Sequence, residues 1–143
     1  MTRWLIFFFI LPWTAVQAQD NFSEKNAIER LITEHYLVPV YLGTNLETIK
    51  QGFHEDFRMY VLDKGKLSVR TREEWIERLK KSREENKTKR TYAWMFEVIN
   101  VEEQTAVAKV RINENGSIKY VDYLTLYKFS DGWKIITKQF TTY

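Results

Sequence analysis

The sequence predicts an α+β domain in which helices cover one strongly bent antiparallel sheet. Three observations carry that prediction. Residues 119–143 alternate aromatic and β-branched side chains around Ser130-Asp131-Gly132, which reads as two long strands joined by a three-residue turn. Residues 92–101 and 105–113 repeat the pattern, with Glu102–Gln104 turning between them and Glu114-Asn115-Gly116-Ser117 as a hairpin signal before the last pair. The N-terminal half instead shows apolar residues at helical spacing. Strands in a meander need a cover for their apolar face, and those helices supply it.

Residues 1–18 are expected to be a secretory signal peptide. Arg3 gives a positive start, residues 4–13 are an apolar run, and Val16-Gln17-Ala18 is a small-residue cleavage site. A run of that length is about half of what crosses a bilayer. The domain is then 19–143, enough for one core. The expected location is periplasmic or secreted, with no stable membrane anchor after cleavage. Cysteine is absent, which excludes disulfides, thiol catalysis, thiolate metal sites and a cysteine lipid anchor. Loss of Arg3 with the signal peptide takes the formal net charge from +3 to +2, too near neutral to argue for nucleic acid or an acidic substrate.

Ser23 can cap a helix starting at Glu24, on which Ile28, Leu31, Ile32 and His35 form one apolar stripe. Pro39 is expected to end or bend it, and Gly43 closes the segment. Thr44-Asn45-Leu46-Glu47 reads as a capping box for a short helix stopped by Gly52. His54-Glu55-Asp56 is a junction into a first strand at 57–62, followed by a turn and a short strand at 67–70. Thr71-Arg72-Glu73-Glu74 is a second capping box, opening a surface helix to about Glu85 with Glu74/Arg78 and Glu77/Lys81 as ion pairs. Across the Asn115-Gly116 hairpin, unbroken alternation sets Lys109 opposite Asp122 and Val110 opposite Val121.

This order, with these residues, resembles the nuclear transport factor 2-like superfamily. The resemblance rests on Tyr36 with Tyr41-Leu42-Gly43, on Phe53-His54-Glu55-Asp56-Phe57, and on Ala106-Val107-Ala108-Lys109-Val110. Asp122-Tyr123-Leu124 and Trp133-Lys134-Ile135 with Lys138-Gln139-Phe140 complete it, so residues 24–140 are covered. Within the superfamily the chain looks most like the bacterial "putative lumazine-binding" branch, related to SnoaL-type polyketide cyclases. It departs from that branch at Val38-Pro39 and at Glu55. The resemblance implies a cone-shaped sheet with helices packed on its concave face and a pocket between them.

The sequence holds no glycine-rich phosphate loop, no Gly-x-Ser-x-Gly and no His-Glu-x-x-His, and its two histidines make a poor metal site. No cofactor and no metal are expected. His54 is a candidate general base oriented by Asp56, but with no partner nucleophile in view the favoured reading is that the pair serves the backbone and the turn. Asp122 is the carboxylate most like a superfamily pocket acid. In an apolar cavity it could shuttle a proton, while a Lys109 neighbour would make it a cross-strand ion pair. Glu97 poses the same question among Met95, Ile99 and Val101. Lys138 faces the pocket or water depending on one residue of register. Tyr36, Tyr92, Trp94, Phe96 and Tyr123 are candidate ligand contacts, or plain core and interface. Residues 80–90 are rich in Lys and Arg and read as a solvated helix end rather than a nucleic-acid patch. The function these features favour is an exported domain binding a small hydrophobic or aromatic ligand. The alternatives are an isomerase or cyclase using Asp122 or His54, and a dimeric interaction module. A homodimer through the open sheet face is expected, since the meander has more aromatics than one concave lining uses.

Overall fold

A computed structural model describes residues 13–86 and 88–143, with side chains from residue 21 onward. Arg3 and most of the apolar run of the expected signal peptide lie outside the described residues. Among those described, no helix is long and apolar enough to cross a membrane.

Helix α1 (Trp13–Ile32) passes through the expected cleavage site and buries Ile28 and Ile32. At its exposed side Glu24 accepts hydrogen bonds from Lys128 Nζ and Trp133 Nε1, both at 2.6 Å, tying the helix to the last hairpin. Pro39 does not end this helix. The chain continues through a π-helical turn (Thr33–Leu37) into α2 (Val38–Tyr41), with Pro39 in its first turn. The wider turn accommodates a residue that has no N–H to donate, and the Val38 N–H reaches back five residues to Thr33 O. Gly43, at φ +77°, then reverses the chain.

Asn45, rather than Thr44, caps the next turn (Leu46–Thr48), its Oδ1 accepting from the Glu47 N–H at 2.9 Å. Helix α3 (Ile49–Gly52) follows directly. Gly52 serves close packing more than termination. A Cβ there would lie 2.5 Å from His35 Cβ, so only glycine lets α3 sit against the π turn.

Strand β1 (Phe53–Asp63) takes in His54–Asp56, which the sequence suggests as a junction. It pairs with β2 (Lys66–Thr71), and α4 (Arg72–Glu85) starts at a capping box made by Thr71 and Glu74, as the sequence predicts. Glu77 pairs with Lys80 rather than Lys81, and the Glu74 carboxylate turns back to the Thr71 N–H instead of reaching Arg78. The meander β3 (Tyr92–Glu102), β4 (Thr105–Glu114), β5 (Ser117–Phe129) and β6 (Gly132–Thr142) completes a six-stranded sheet of order β2-β1-β6-β5-β4-β3. The sheet is mixed, because β6 returns parallel to β1. Its outer strands β2 and β3 do not pair, so it stays open.

Three one-residue bulges decide which side chains face the helices. Glu97 is extra against β4, Lys119 against β4, and Ile136 against β5. The Lys119 bulge slides the expected register, so Val110 faces Asp122 and Lys109 faces Tyr123. The Ile136 bulge breaks alternation on β6, so that Trp133 and Ile135 share the helix-facing side with Lys138. Helix α1 packs on β3 and β6 across that face, and α4 on β1 and β2. Between them lies a core of Ile28, Ile32, Leu37, Phe53, Phe57, Trp75, Ile112 and Ile135, with Tyr36 inside it. Each such side chain contributes about 1.5–3 kcal/mol of burial.

Candidate functional site

A pocket of about 510 Å³ opens where α2, the end of α4 and the inner face of the sheet converge. Its floor is aromatic. Tyr36 and Tyr41 come from the π turn and α2, Trp75 from α4, and Tyr92, Tyr120 and Phe140 from the strands. The Tyr41 ring lies 5.0 Å from Tyr92 and 6.3 Å from Tyr120, and Tyr120 meets Phe140 edge-on at 6.0 Å. Arg70, Ser82, Arg83, Asn86, Lys89 and Arg90 form the mouth. Arg83 is fixed there by donating to Thr44 O at 2.8 Å and to Pro39 O, which ties the end of α4 to the loop after α2.

Beneath the floor sits a buried polar chain. The Asp122 and Lys138 side chains are 0% and 6% exposed, with Lys138 Nζ 2.5 Å from Asp122 Oδ1. The contact is an ion pair whose angles fall short of an aligned hydrogen bond. Tyr36 Oη donates to Asp122 Oδ2, and Tyr41 Oη lies 3.2 Å from Tyr36 Oη. Since the Tyr36 proton goes to the carboxylate, Tyr41 is the donor in that second contact. Its oxygen lone pairs are then left toward the pocket. Lys138 Nζ also sits 5.0 Å from the Tyr36 ring centre and 4.8 Å from that of Phe140.

Burial, and then the charge of Asp122, pushes the Tyr36 and Tyr41 phenols well above their ordinary range. Burial likewise raises Tyr92 and Tyr120. It lowers the Lys138 ammonium, against the opposing pull of Asp122. Ammonium and carboxylate compensate one another in a place where neither alone would be stable.

Of the side chains the sequence singles out, Tyr36, Tyr92, Asp122 and Lys138 come together here. Asp122 does not line the pocket; it stands behind Tyr36 and Lys138. Its partner is Lys138, whereas Lys109 lies on the other face, 2.7 Å from Glu97. Trp94 is on the inner face but packs against the core outside the pocket lining. Tyr123 points outward, 46% exposed, with Lys109 over its ring. His54 and Asp56 sit away from the pocket. His54 stacks on Phe129 at 4.8 Å and its Nδ1 accepts from the Asp56 N–H at 3.1 Å. Ligating atoms of His54, Glu55 and Asp56 lie within 4.8 Å of one another, with both acids exposed. His35 is half-buried against Gly52, its Nδ1 without a hydrogen-bond partner among the described residues.

Sequence reasoning does not single out Tyr41, Tyr120 or the cations of the mouth as site residues. Tyr41 carries no such signal, since its five-residue spacing from Tyr36 fits no α-helical period. The basic run at residues 80–90 is more than a solvated helix end, because Arg83, Lys89 and Arg90 from it line the mouth.

The sequence profile of one family, described as "Putative lumazine-binding", matches residues 23–141. No curated protein sequence matches. Among solved structures, a nuclear transport factor 2-like protein of unknown function from Silicibacter pomeroyi superposes with TM-score 0.68 at 14% identity, covering 88% of this chain and 98% of that one. Another from Methylobacillus flagellatus gives 0.66 at 17% identity, covering 85% and 93%. A protein from Shewanella frigidimarina described as a putative ketosteroid isomerase gives 0.63 at 18%, covering 80% and 94%. At identities this low the superpositions show the shared nuclear transport factor 2-like fold alone.

Proposed function

This chain belongs to the family described as putative lumazine-binding, and on that premise we propose that it binds a flat small molecule in the pocket without transforming it. The observation that carries this reading is an aromatic floor with no carboxylate or histidine in the lining among the described residues. Proton transfer to a substrate needs an acid or base within hydrogen-bond reach. Asp122 has one oxygen on Tyr36 and the other against Lys138, so a ligand on the floor meets phenols and an ammonium instead. The isomerase or cyclase alternative, kept in view by the Shewanella frigidimarina neighbour's description, would have to work through those phenols.

A thermal-shift screen of flat heterocycles and polyketide-like compounds tests the reading, followed by product analysis of each hit. Saturable binding without turnover is expected, weakened about tenfold by Tyr120→Ala through loss of a stacking face. Product formation that Tyr36→Phe or His54→Ala abolishes would assign the pocket or the His54 site to an enzyme instead.

Two further readings belong to this proposal. A second copy covers the outer sheet face, supported by the exposure of Met95, Val98, Val107, Tyr123 and Tyr127 on three adjacent strands. Light scattering at micromolar concentration should then give twice the monomer mass, and a monomer mass ends that reading. The chain is also exported and cut after Ala18. Among the described side chains of α1 the first tied to the body is that of Glu24, and a product starting at Gln19 retains it. N-terminal sequencing from the native host should begin at Gln19, and an uncut chain would refute processing.

A further inference from the structure

The pocket gathers positive charge out of proportion to the chain. Five of its lining residues are Lys or Arg and none is Asp or Glu, although the whole chain carries 22 basic and 19 acidic residues. Two of the five are matched from behind the wall, Lys138 by Asp122 and Arg90 by Glu114 at 3.2 Å. Arg83 gives two of its N–H donors to neutral carbonyls, which leaves its charge in place. Arg70 and Lys89 form no ion pair among the described residues. Around Arg70 the charged neighbours are Arg78, which repels it, and Glu74, which attracts it.

Cations gathered in the lining of one concave pocket attract an anion, and a partly desolvated wall strengthens that attraction. A polyanion such as a nucleic-acid strand would need these charges on an open surface. A cavity of about 510 Å³ fits a single small molecule.

We propose that the ligand is an aromatic anion, its ring against Tyr92 and Tyr120 and its carboxylate or phosphate held at the mouth by Arg70 and Lys89. The proposal rests on the binding reading above and narrows it to a charge class. It also gives a different role to the two lysine environments: Lys138 is committed to Asp122, and Lys89 is available to a ligand.

Matched probes test it. Calorimetry would compare 2-naphthoate with 2-naphthamide, and indole-3-acetate with indole-3-acetamide, on the full chain. Each acid is expected to bind about tenfold more tightly than its amide, the scale of one charge-assisted hydrogen bond. That preference should shrink with added salt and disappear in Arg70→Gln/Lys89→Gln, while the amides bind the variant as they bind the unaltered chain. Both positions lie at the mouth, so this variant keeps the buried pair and the core. Equal affinity for acid and amide would overturn the anion inference and leave the pocket reading standing. An acid preference that survives the double substitution would overturn the assignment to Arg70 and Lys89. Binding of no member of either pair would overturn both the inference and the reading it rests on.

Discussion

Two Lys–carboxylate pairs lie on opposite faces of the same sheet. On the inner face Lys138 meets Asp122, with side chains 6% and 0% exposed; on the outer face Lys109 meets Glu97, at 31% and 15%. The separations are nearly equal, 2.5 and 2.7 Å. What differs is what happens when one partner goes. The survivor on the outer face can turn to water or, for Glu97, to Arg111. The survivor on the inner face is an uncompensated charge under an aromatic floor. Equal geometry therefore does not imply equal energy, and the inner pair fixes which side chains form the floor.

The largest effect should come from breaking the inner pair. Lys138→Met or Asp122→Asn alone is expected to cost about 3–5 kcal/mol in denaturant unfolding. Lys138→Met combined with Asp122→Leu should recover most of it, because two apolar groups leave no stranded charge. Single variants that lose less than the double would show that water reaches this site.

Alkaline pH sharpens the comparison next. Tyr36 and Tyr41 hold their protons in the folded chain well above the usual phenol value of 10.0. The unfolded chain releases them near that value, so the stability they contribute is present below pH 10.0 and lost as pH rises beyond it. Lys138 works in the opposite sense, its lowered pKa favouring the folded chain as pH rises toward the ordinary lysine value of 10.5. Two strongly raised phenols against one lowered ammonium should give net loss. Absorbance at 295 nm is expected to show Tyr36 and Tyr41 ionising together with unfolding, in one cooperative step. Gradual ionisation of the folded protein would place those phenols in contact with solvent.

The smallest effect belongs to the outer pair. Glu97→Gln should cost about 0–1 kcal/mol and leave the pocket untouched. That figure is for the dilute monomer; at concentrations where the proposed dimer forms, Glu97 is covered and the loss should be larger.

Element order was legible in the sequence because it depends on local signals. The Thr71–Glu74 capping box, the Asn115-Gly116 hairpin and the alternation of the last four strands all act within a few residues. The site was less legible because it depends on phase. Alternation carried through β6 from Trp133 would turn Lys138 outward, and only the Ile136 bulge turns it in. Unbroken pairing gives Asp122 the wrong lysine, because nothing near Lys119 announces its bulge. Trp94 and Tyr123 attract notice as strand aromatics, yet one packs against the core and the other faces out. The basic run looks like a helix end by composition, and its second role appears only once the loop after α2 closes against it.

The π turn at Thr33–Leu37 makes the pocket floor a matter of chain length as well as side-chain identity. In a plain α-helix Tyr36 and Tyr41, five residues apart, would point about 140° from one another. The π turn closes between Thr33 and Val38, ahead of Tyr41, and the long side chains span the remaining angle so that their hydroxyls meet at 3.2 Å. A single codon lost from this stretch would rotate Ile28 and Ile32 relative to the phenols by about 100°. A lineage could thus re-aim the floor against an unchanged sheet through one insertion or deletion, with no substitution in the lining at all.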